Sequence, residues 1–265
     1  MQCQLYNAAG NRILWIDGGE SPFEPGGEVD VDRVKMTGRR LVERYRFGQE
    51  MTAVLFRTFR GRFALFWNPD GSEEDLCGNA IRCAAHFASS DAEPINDLQL
   101  FTPRGSYVAR RLNSENGSVI IPARTIRMGA AQANGDRMVD TGSPHCICMV
   151  HEEWPAQAVK HAMARSRGFD AVNFDLVRRL GPFHFRVRIF ERGVGETFSC
   201  GTGATAIVAA LGTFDGDGER DTEPDHLVEF ASGEQLTVTY RRNLDAFEVA
   251  GRVELLLATT IAEEL

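Results

Sequence analysis

The chain has 265 residues, 43% of them hydrophobic and 25% charged, and a net charge of −8; that is length for one large domain or two smaller ones whose cores need no staples. The acidic balance excludes general affinity for nucleic acid, which wants clustered cations, and no apolar run approaches the roughly 18 residues of a membrane span. The N-terminus lacks a charged-then-apolar leader pattern, and six cysteines are too sparse for a disulfide scaffold, so the expectation is a cytoplasmic protein with reduced thiols and neither a membrane nor a nucleic-acid partner.

In chain order, Gln4–Tyr6 and Arg12–Asp17 alternate as two short strands around Asn7–Asn11, and a loop rich in Gly and Pro follows over Gly18–Gly27. Val34, Leu41, Val42 and Tyr45 fall at helical spacing and predict an amphipathic helix over residues 30–46. Thr52–Phe59 and Arg62–Trp67 read as a hairpin turned at Arg60-Gly61, ahead of a buried-type helix over Gly78–Ser89. Strands are expected at Leu98–Phe101, Tyr107–Leu112 and Ser118–Ile121, and the aperiodic stretch Pro122–Asp136 is the best internal boundary. The second half repeats the plan, with strands near Met138–Thr141 and Cys146–Val150, a helix over Pro155–Arg167, strands near Val172–Val177 and Phe185–Phe190, and a helix from Gly201 to Leu211. Phe214–Asp225 reads as a solvated acidic loop without calcium-loop spacing, and Leu227–Ala231, Gln235–Arg241 and Phe247–Leu257 as the closing strands.

Two stretches carry the chemistry. In Phe190–Ala210 one cysteine, Cys200, sits where an extended apolar run gives way to Gly201, Thr202 and a continuous series of small and apolar helix formers. In Asn68–Phe87 the device recurs, with Cys77 before Gly78 and Asn79. Each reads as a thiol at a helix N-terminus, where free N–H groups and the positive end of the dipole hold an anion and lower a thiol pKa. Two such thiols in two similar halves suit the inversion of a carbon stereocentre. A thiolate takes the proton from one face, a neutral thiol supplies one to the other, and the amides of Gly78, Asn79, Gly201 and Thr202 hold the carboxylate on which charge develops.

Other motifs weigh less. Gly201–Ala206 resembles a dinucleotide fingerprint loosely, but the acid-ended second strand that a Rossmann unit needs is replaced by the acidic loop. His151-Glu152-Glu153 lacks the second histidine of a helical zinc site, and His145-Cys146 with Cys148 lacks the paired spacings of a zinc centre. Cys3, Cys83, Cys146 and Cys148 read as small buried hydrophobes, and neither Cys77 nor Cys200 has the Cys-x-x-Cys partner of a disulfide exchanger.

The motifs Asn68-x-Asp70-Gly71-Ser72 with Cys77-Gly78-Asn79-x-x-Arg82-Cys83, and Glu191-Arg192-Gly193-x-Gly195-Glu196-Thr197 with Cys200-Gly201-Thr202-Gly203-Ala204, resemble the two signatures of the diaminopimelate epimerase family. The resemblance extends more weakly to both ends of the chain. It implies an α+β fold of two similar domains, each a strand-rich, barrel-like sheet around a central helix, with the active site in the interdomain cleft. The halves would be 1–121 with a returning C-terminal strand at about 252–265, and 122–251. It implies an epimerase or racemase of a small-molecule amino acid that needs no metal or organic cofactor, and a possible homodimer formed through that strand. The tyrosine often found there has no counterpart in Leu255–Ile261.

Residue by residue, the resemblance makes Cys77 and Cys200 the acid/base pair, the hand of the substrate deciding which is base. Gly78, Asn79, Gly201 and Thr202 would hold the α-carboxylate, and Asn11 would line the pocket. Asn68, Asn173 and Arg192 match residues that grip the far end of diaminopimelate, and Glu191 and His145 match neighbours that bind the amino group and set thiol protonation. Three departures bear on the substrate. Ala8-Ala9-Gly10-Asn11-Arg12 stands for Gly-Leu-Gly-Asn-Asp, Gly48–Ala53 departs from Gly-x-Gly-Ala-Asp-Gln, and Ser143-Pro144-His145-Cys146 stands for Asn-Pro-His-Cys. The shorter Ser143 removes an amide from the wall that reads the distal group, which costs about a kilocalorie or more per lost buried partner. The resemblance implies diaminopimelate, from the LL to the meso form, as the default substrate, because Asn68 and Arg192 remain to bind a distal carboxylate, with another amino acid such as histidine as the alternative. A non-catalytic amino-acid binding module is the reading from a different class.

Overall fold

The computed structural model describes residues 1–20, 31–58, 61–89, 95–132, 135–167, 172–212 and 223–261. They form two compact units, Met1–Val119 with Arg252–Leu265, and Ile120–Gly251. The fold is α+β, with strand-rich sheets and few helices.

In the first unit β1 (Gln2–Ala8) and β2 (Asn11–Glu20) make a hairpin whose turn residues, Ala9 and Gly10, both have positive φ, 49° and 87°. That is the turn geometry that matches strand twist. Asn7 Oδ1 accepts from the Gly10 N–H at 2.9 Å, and Asn11 opens β2. α1 (Val31–Arg44) leads to β3 (Met51–Thr58), parallel to β2 and antiparallel to β4 (Gly61–Trp67). A two-residue strand, β5 (Glu73–Glu74), folds back on β4 before α2 (Gly78–Ala88). β6 (Asp97–Thr102) runs parallel to β4 and antiparallel to β7 (Gly105–Arg111), and β8 (Asn116–Pro122) carries the chain onward.

In the second unit β9 (Arg127–Ala131), β10 (Arg137–Asp140) and β11 (Pro144–Met149) pair antiparallel in succession. α3 (Ala156–Arg167) leads to β12 (Asn173–Gly181), parallel to β11 and antiparallel to β13 (His184–Glu191). β14 (Gly195–Glu196) folds back on β13 and α4 (Gly201–Leu211) follows. β15 (Asp225–Phe230) runs parallel to β13 and antiparallel to β16 (Gln235–Arg241), which pairs with β17 (Ala246–Arg252). β18 (Glu254–Thr260) is again part of the first unit, where it pairs with β1.

Both units thread one pattern: a hairpin, a helix, a parallel strand that opens a second hairpin, a two-residue strand, a cysteine-capped helix, and a third hairpin joined in parallel. The cysteine-capped helices are the inner ones. α2 packs against β1, β2, β6 and β7, and α4 against β10, β11, β12 and β16. Gly201–Val208 of α4 are all buried and carry no charge, which is the all-round apolar surface of a core helix. Trp15 of β2 fastens α2: its ring stacks on Phe87 at 5.5 Å, meets Phe66 edge-on, and donates Nε1–H to the Ala80 carbonyl at 3.2 Å. α1 buries Val34, Leu41 and Val42 in a cluster with Leu14, Ile16, Phe56 and Trp67, each such aliphatic side chain contributing about 1.5–3 kcal/mol.

Three expectations need correction or restriction. Phe247–Leu257 is two strands, not one, broken at Val253, whose N–H bonds the Glu115 carbonyl at 2.7 Å. The stretch Pro122–Asp136, which begins just after the division between the units at Val119 and Ile120, is not all loop: it contains β9, whose five residues are all exposed and so leave no apolar alternation in the letters. The acidic loop, apart from its last residues, and most of the loop after Glu20 lie outside the described residues.

Candidate active site

Cys200 ends the extended chain before α4 as its N-cap, with φ −143° and ψ 117°. Its Sγ accepts from the Gly203 N–H at 3.4 Å and lies 3.2 Å from Thr202 Oγ1. The Glu191 carboxyl group is a neighbour of the thiol and accepts from Thr197 Oγ1 at 2.9 Å. Burial pushes Glu191 above the ordinary carboxylate range, against the hydrogen bonds from Thr197 and Cys200 that favour its charge. The thiol moves the same way, contrary to what the helix dipole alone predicts: burial first, and then the Glu191 charge, raise Cys200 well above its ordinary value of 9.0. The donors Thr202 and Gly203 oppose that shift and lose. At neutral pH Cys200 is therefore a protonated thiol beside the Glu191 carboxyl group.

Behind Thr202 lies a buried polar chain. The His145 ring, wholly buried at the start of β11, lies 2.8 Å through Nδ1 from Asp175 Oδ2 and 3.1 Å through Nε2 from Thr202 Oγ1. Asn173 on β12 orients its amide unambiguously, since its Oδ1 accepts from the backbone N–H of Arg192 at 2.9 Å. Its Nδ2 then donates to Ser143 Oγ at 2.6 Å and points at His145 Nε2 at 3.4 Å. The parallel register of β11 and β12, His145 opposite Asn173 and Ile147 opposite Asp175, brings these groups together. Gly203 completes the fit, because a Cβ there would lie 2.6 Å from Ile189 Cδ1 and 3.1 Å from the His145 ring.

The second unit thus joins Ser143, His145, Asn173, Glu191, Cys200 and Thr202 in one network, with Gly201 buried in the first turn of α4 and the Arg192 side chain exposed beside it. In the first unit Cys77 caps α2 with φ −132° and ψ 105°, half-buried and without a side-chain capping bond, and Gly78 and Asn79 are buried in the turn that follows. Asn68 is held by its own loop: Nδ2 donates to Ser72 Oγ at 3.0 Å and to Glu74 Oε1 at 3.3 Å. Arg12 next to Asn11 is tied to the altered segment, its N–H donating to Glu50 Oε2 at 2.8 Å. The remaining thiols are inert small hydrophobes; burial lifts Cys3 and Cys146 to about 11 and Cys83 and Cys148 to about 12. Among the described residues no group of three or more His, Cys, Asp or Glu side chains is placed to hold a metal ion, and no helix is long and apolar enough to cross a membrane.

Sequence reasoning missed Asp175 and Thr197. Asp175 had a signal, an acid inside the apolar run Val172–Val177 two positions after Asn173 and so on the same strand face. Thr197 had none beyond its place in the second motif.

The arrangement can hold a proton at Sγ, release it and take it back. A family model described as diaminopimelate epimerase matches residues 137–250. The diaminopimelate epimerase of Xanthomonas euvesicatoria pv. vesicatoria is 31% identical over 167 residues, 55% of this chain and only 59% of that protein. That of Alkalilimnicola ehrlichii is 29% identical over 235 residues, 76% of this chain and 79% of the relative. Among solved structures, a hydroxyproline epimerase from Agrobacterium vitis with bound trans-4-hydroxy-L-proline matches at a TM-score of 0.64, covering 100% of this chain and 93% of the other at 14% identity; that likeness is one of fold. Over these stretches the chain is similar to diaminopimelate epimerases, and the matched residues 137–250 contain both Glu191 and Cys200.

Proposed function

We propose that the protein is an amino-acid epimerase or racemase in which Cys77 and Cys200 exchange the α-proton on opposite faces of the substrate carbon. The observation that carries this reading is the Cys200 site, a thiol kept protonated by burial and by Glu191 while Thr202 Oγ1 and the Gly203 N–H stand ready to receive the thiolate. Inversion needs that pairing: one sulfur delivers its proton as the other, already a thiolate, removes one. Gly78, Asn79, Gly201 and Thr202 hold the substrate carboxylate, and Asn11 lines its pocket. No metal or organic cofactor takes part in this reading, and the site of action is cytoplasmic.

The substrate is an amino acid other than diaminopimelate. Supporting this, Asn173 spends its amide on Arg192, Ser143 and His145, and Asn68 spends its donor group on Ser72 and Glu74. A distal ammonium or carboxylate would have to displace those bonds, at about a kilocalorie or more each. Diaminopimelate is the second reading, favoured by the exposed Arg192 side chain, which is free to reach a distal carboxylate. Loss of α-protons in deuterated water, followed by NMR over diaminopimelate isomers, histidine, lysine, ornithine, arginine and glutamate, decides between them, with Cys200→Ala as control. Exchange confined to diaminopimelate reverses the order of the two readings, and exchange on nothing leaves a binding module.

Homodimer formation belongs to the same proposal. β18 carries Leu255, Leu256 and Leu257 at 51%, 45% and 40% exposure, so apolar side chains are bare on both faces of the strand, a surface that invites pairing. Light scattering should give a dimer mass that Leu256→Glu halves; a wild-type monomer ends this part of the reading.

A further inference from the structure

The carboxylate of Asp175 has no part in the mechanism so far. It is wholly buried, it meets His145 Nδ1 through Oδ2, and its Oδ1 has no hydrogen-bond partner among the described residues. An ionisable group held so deep for one contact calls for an explanation.

The hydrogen bonds around His145 supply it. The Arg192 N–H can only donate, so Asn173 Oδ1 must face it and Asn173 Nδ2 must face the imidazole. Nε2 therefore meets an N–H from Asn173, and Thr202 Oγ1 on its other side. Nε2 is bare in the resting protein, and the ring proton is on Nδ1, where Asp175 accepts it. A bare Nε2 accepts the Thr202 hydroxyl proton, which leaves Thr202 Oγ1 able to accept from Cys200.

We propose, resting on the reading of Cys200 as an acid/base group, that Asp175 is a positioning residue that makes Cys200, Thr202 and His145 a proton relay. When Cys200 ionises, its S–H proton passes to Thr202 Oγ1 as the Thr202 proton passes to His145 Nε2. The products are a thiolate that accepts from the Thr202 hydroxyl and an imidazolium that faces Asp175. No proton is gained or lost overall. Burial, and after it the neighbouring Glu191, keep the thiol protonated at rest, and the relay gives the proton somewhere to go when the substrate demands a base.

The test turns on a sign. By direct field alone, Asp175 opposes a thiolate at Cys200, so Asp175→Asn would speed alkylation of Cys200 by iodoacetamide. The relay requires the reverse, because the substitution removes the charge that faces the imidazolium. Mass spectrometry of the protein without substrate should show Cys200 alkylated about tenfold more slowly in Asp175→Asn, one pKa unit of driving force, with Cys77 in the same sample as internal reference. In a Thr202→Val background, where the relay is cut, Asp175→Asn should instead speed the reaction. An equal or faster rate in the single variant overturns the proposal. If Asp175→Asn fails to fold, the wild-type protein still answers: ¹⁵N NMR should show His145 protonated at Nδ1 and bare at Nε2, and the opposite tautomer overturns the relay. Neither readout depends on finding the amino-acid substrate, so failure of the exchange panel and failure of the relay are separate results.

Discussion

Cys77 and Cys200 share a backbone conformation and differ in burial and in capping. Both cap an inner helix from an extended conformation, φ −132° and ψ 105° against φ −143° and ψ 117°, and both precede a buried glycine. Cys200 is 7% exposed and accepts a capping bond; Cys77 is half-buried and makes none. Repeating a fold therefore repeats the placement of a thiol but not its chemistry. A dipole worth about 0.3–1 kcal/mol at a helix end is easily outweighed by burial and by one neighbouring carboxylate.

The comparison breaks most sharply on the thiols themselves. Cys77→Ala and Cys200→Ala should each reduce racemisation by about a thousandfold or more with the fold intact by circular dichroism; full turnover by either variant removes the two-thiol mechanism. Glu191→Gln should lower kcat by about a hundredfold, since it removes the ionisable neighbour that adds to burial in holding the proton on Cys200. An unchanged pH–rate profile in that variant would show that Glu191 does not govern the thiol. Gly203→Ala should destabilise the protein by about 1–3 kcal/mol, because its methyl group overpacks Ile189 and His145; urea unfolding measures the loss.

The smallest effect sharpens the contrast by pH. The folded Cys200 pKa lies above the ordinary 9.0, so its neutral form contributes stability that is intact below about pH 9 and is lost as pH rises toward the folded value. Stability should therefore fall above pH 9 by up to about 1.4 kcal/mol per pH unit for this one group. Cys200→Ala should remove that share of the slope, the other buried thiols keeping theirs. Identical slopes in the two proteins would mean that the folded thiol is not perturbed.

What could be read from the letters was what is local. Small apolar residues after Gly78 and Gly201 gave both inner helices their starting residues, because a glycine after an extended cysteine and a run of alanines constrain the chain within a few positions. Asp175 was not read, since its meeting with His145 depends on a parallel register between strands that lie 30 positions apart in sequence. The direction of the Cys200 shift failed for a related reason: the dipole is a property of the helix, but burial is set by every element packed on α4. β9 escaped notice because all five of its residues are exposed, leaving backbone pairing as its sole determinant.

One pair of rings ties the two units' plans together. Trp15, on the second strand of the first unit's opening hairpin, reaches the first turn of its cysteine-capped helix through Ala80, as His145, from the corresponding strand, reaches Thr202 in its own. Where one unit has a group that moves protons, the other has a fluorophore. The indole is wholly buried, stacked on Phe87 and bonded to a carbonyl three residues past Cys77, so its emission reports on the turn that holds that sulfur. With Trp67 and Trp154 replaced by phenylalanine, the chain would thus carry its own optical gauge of the Cys77 cap.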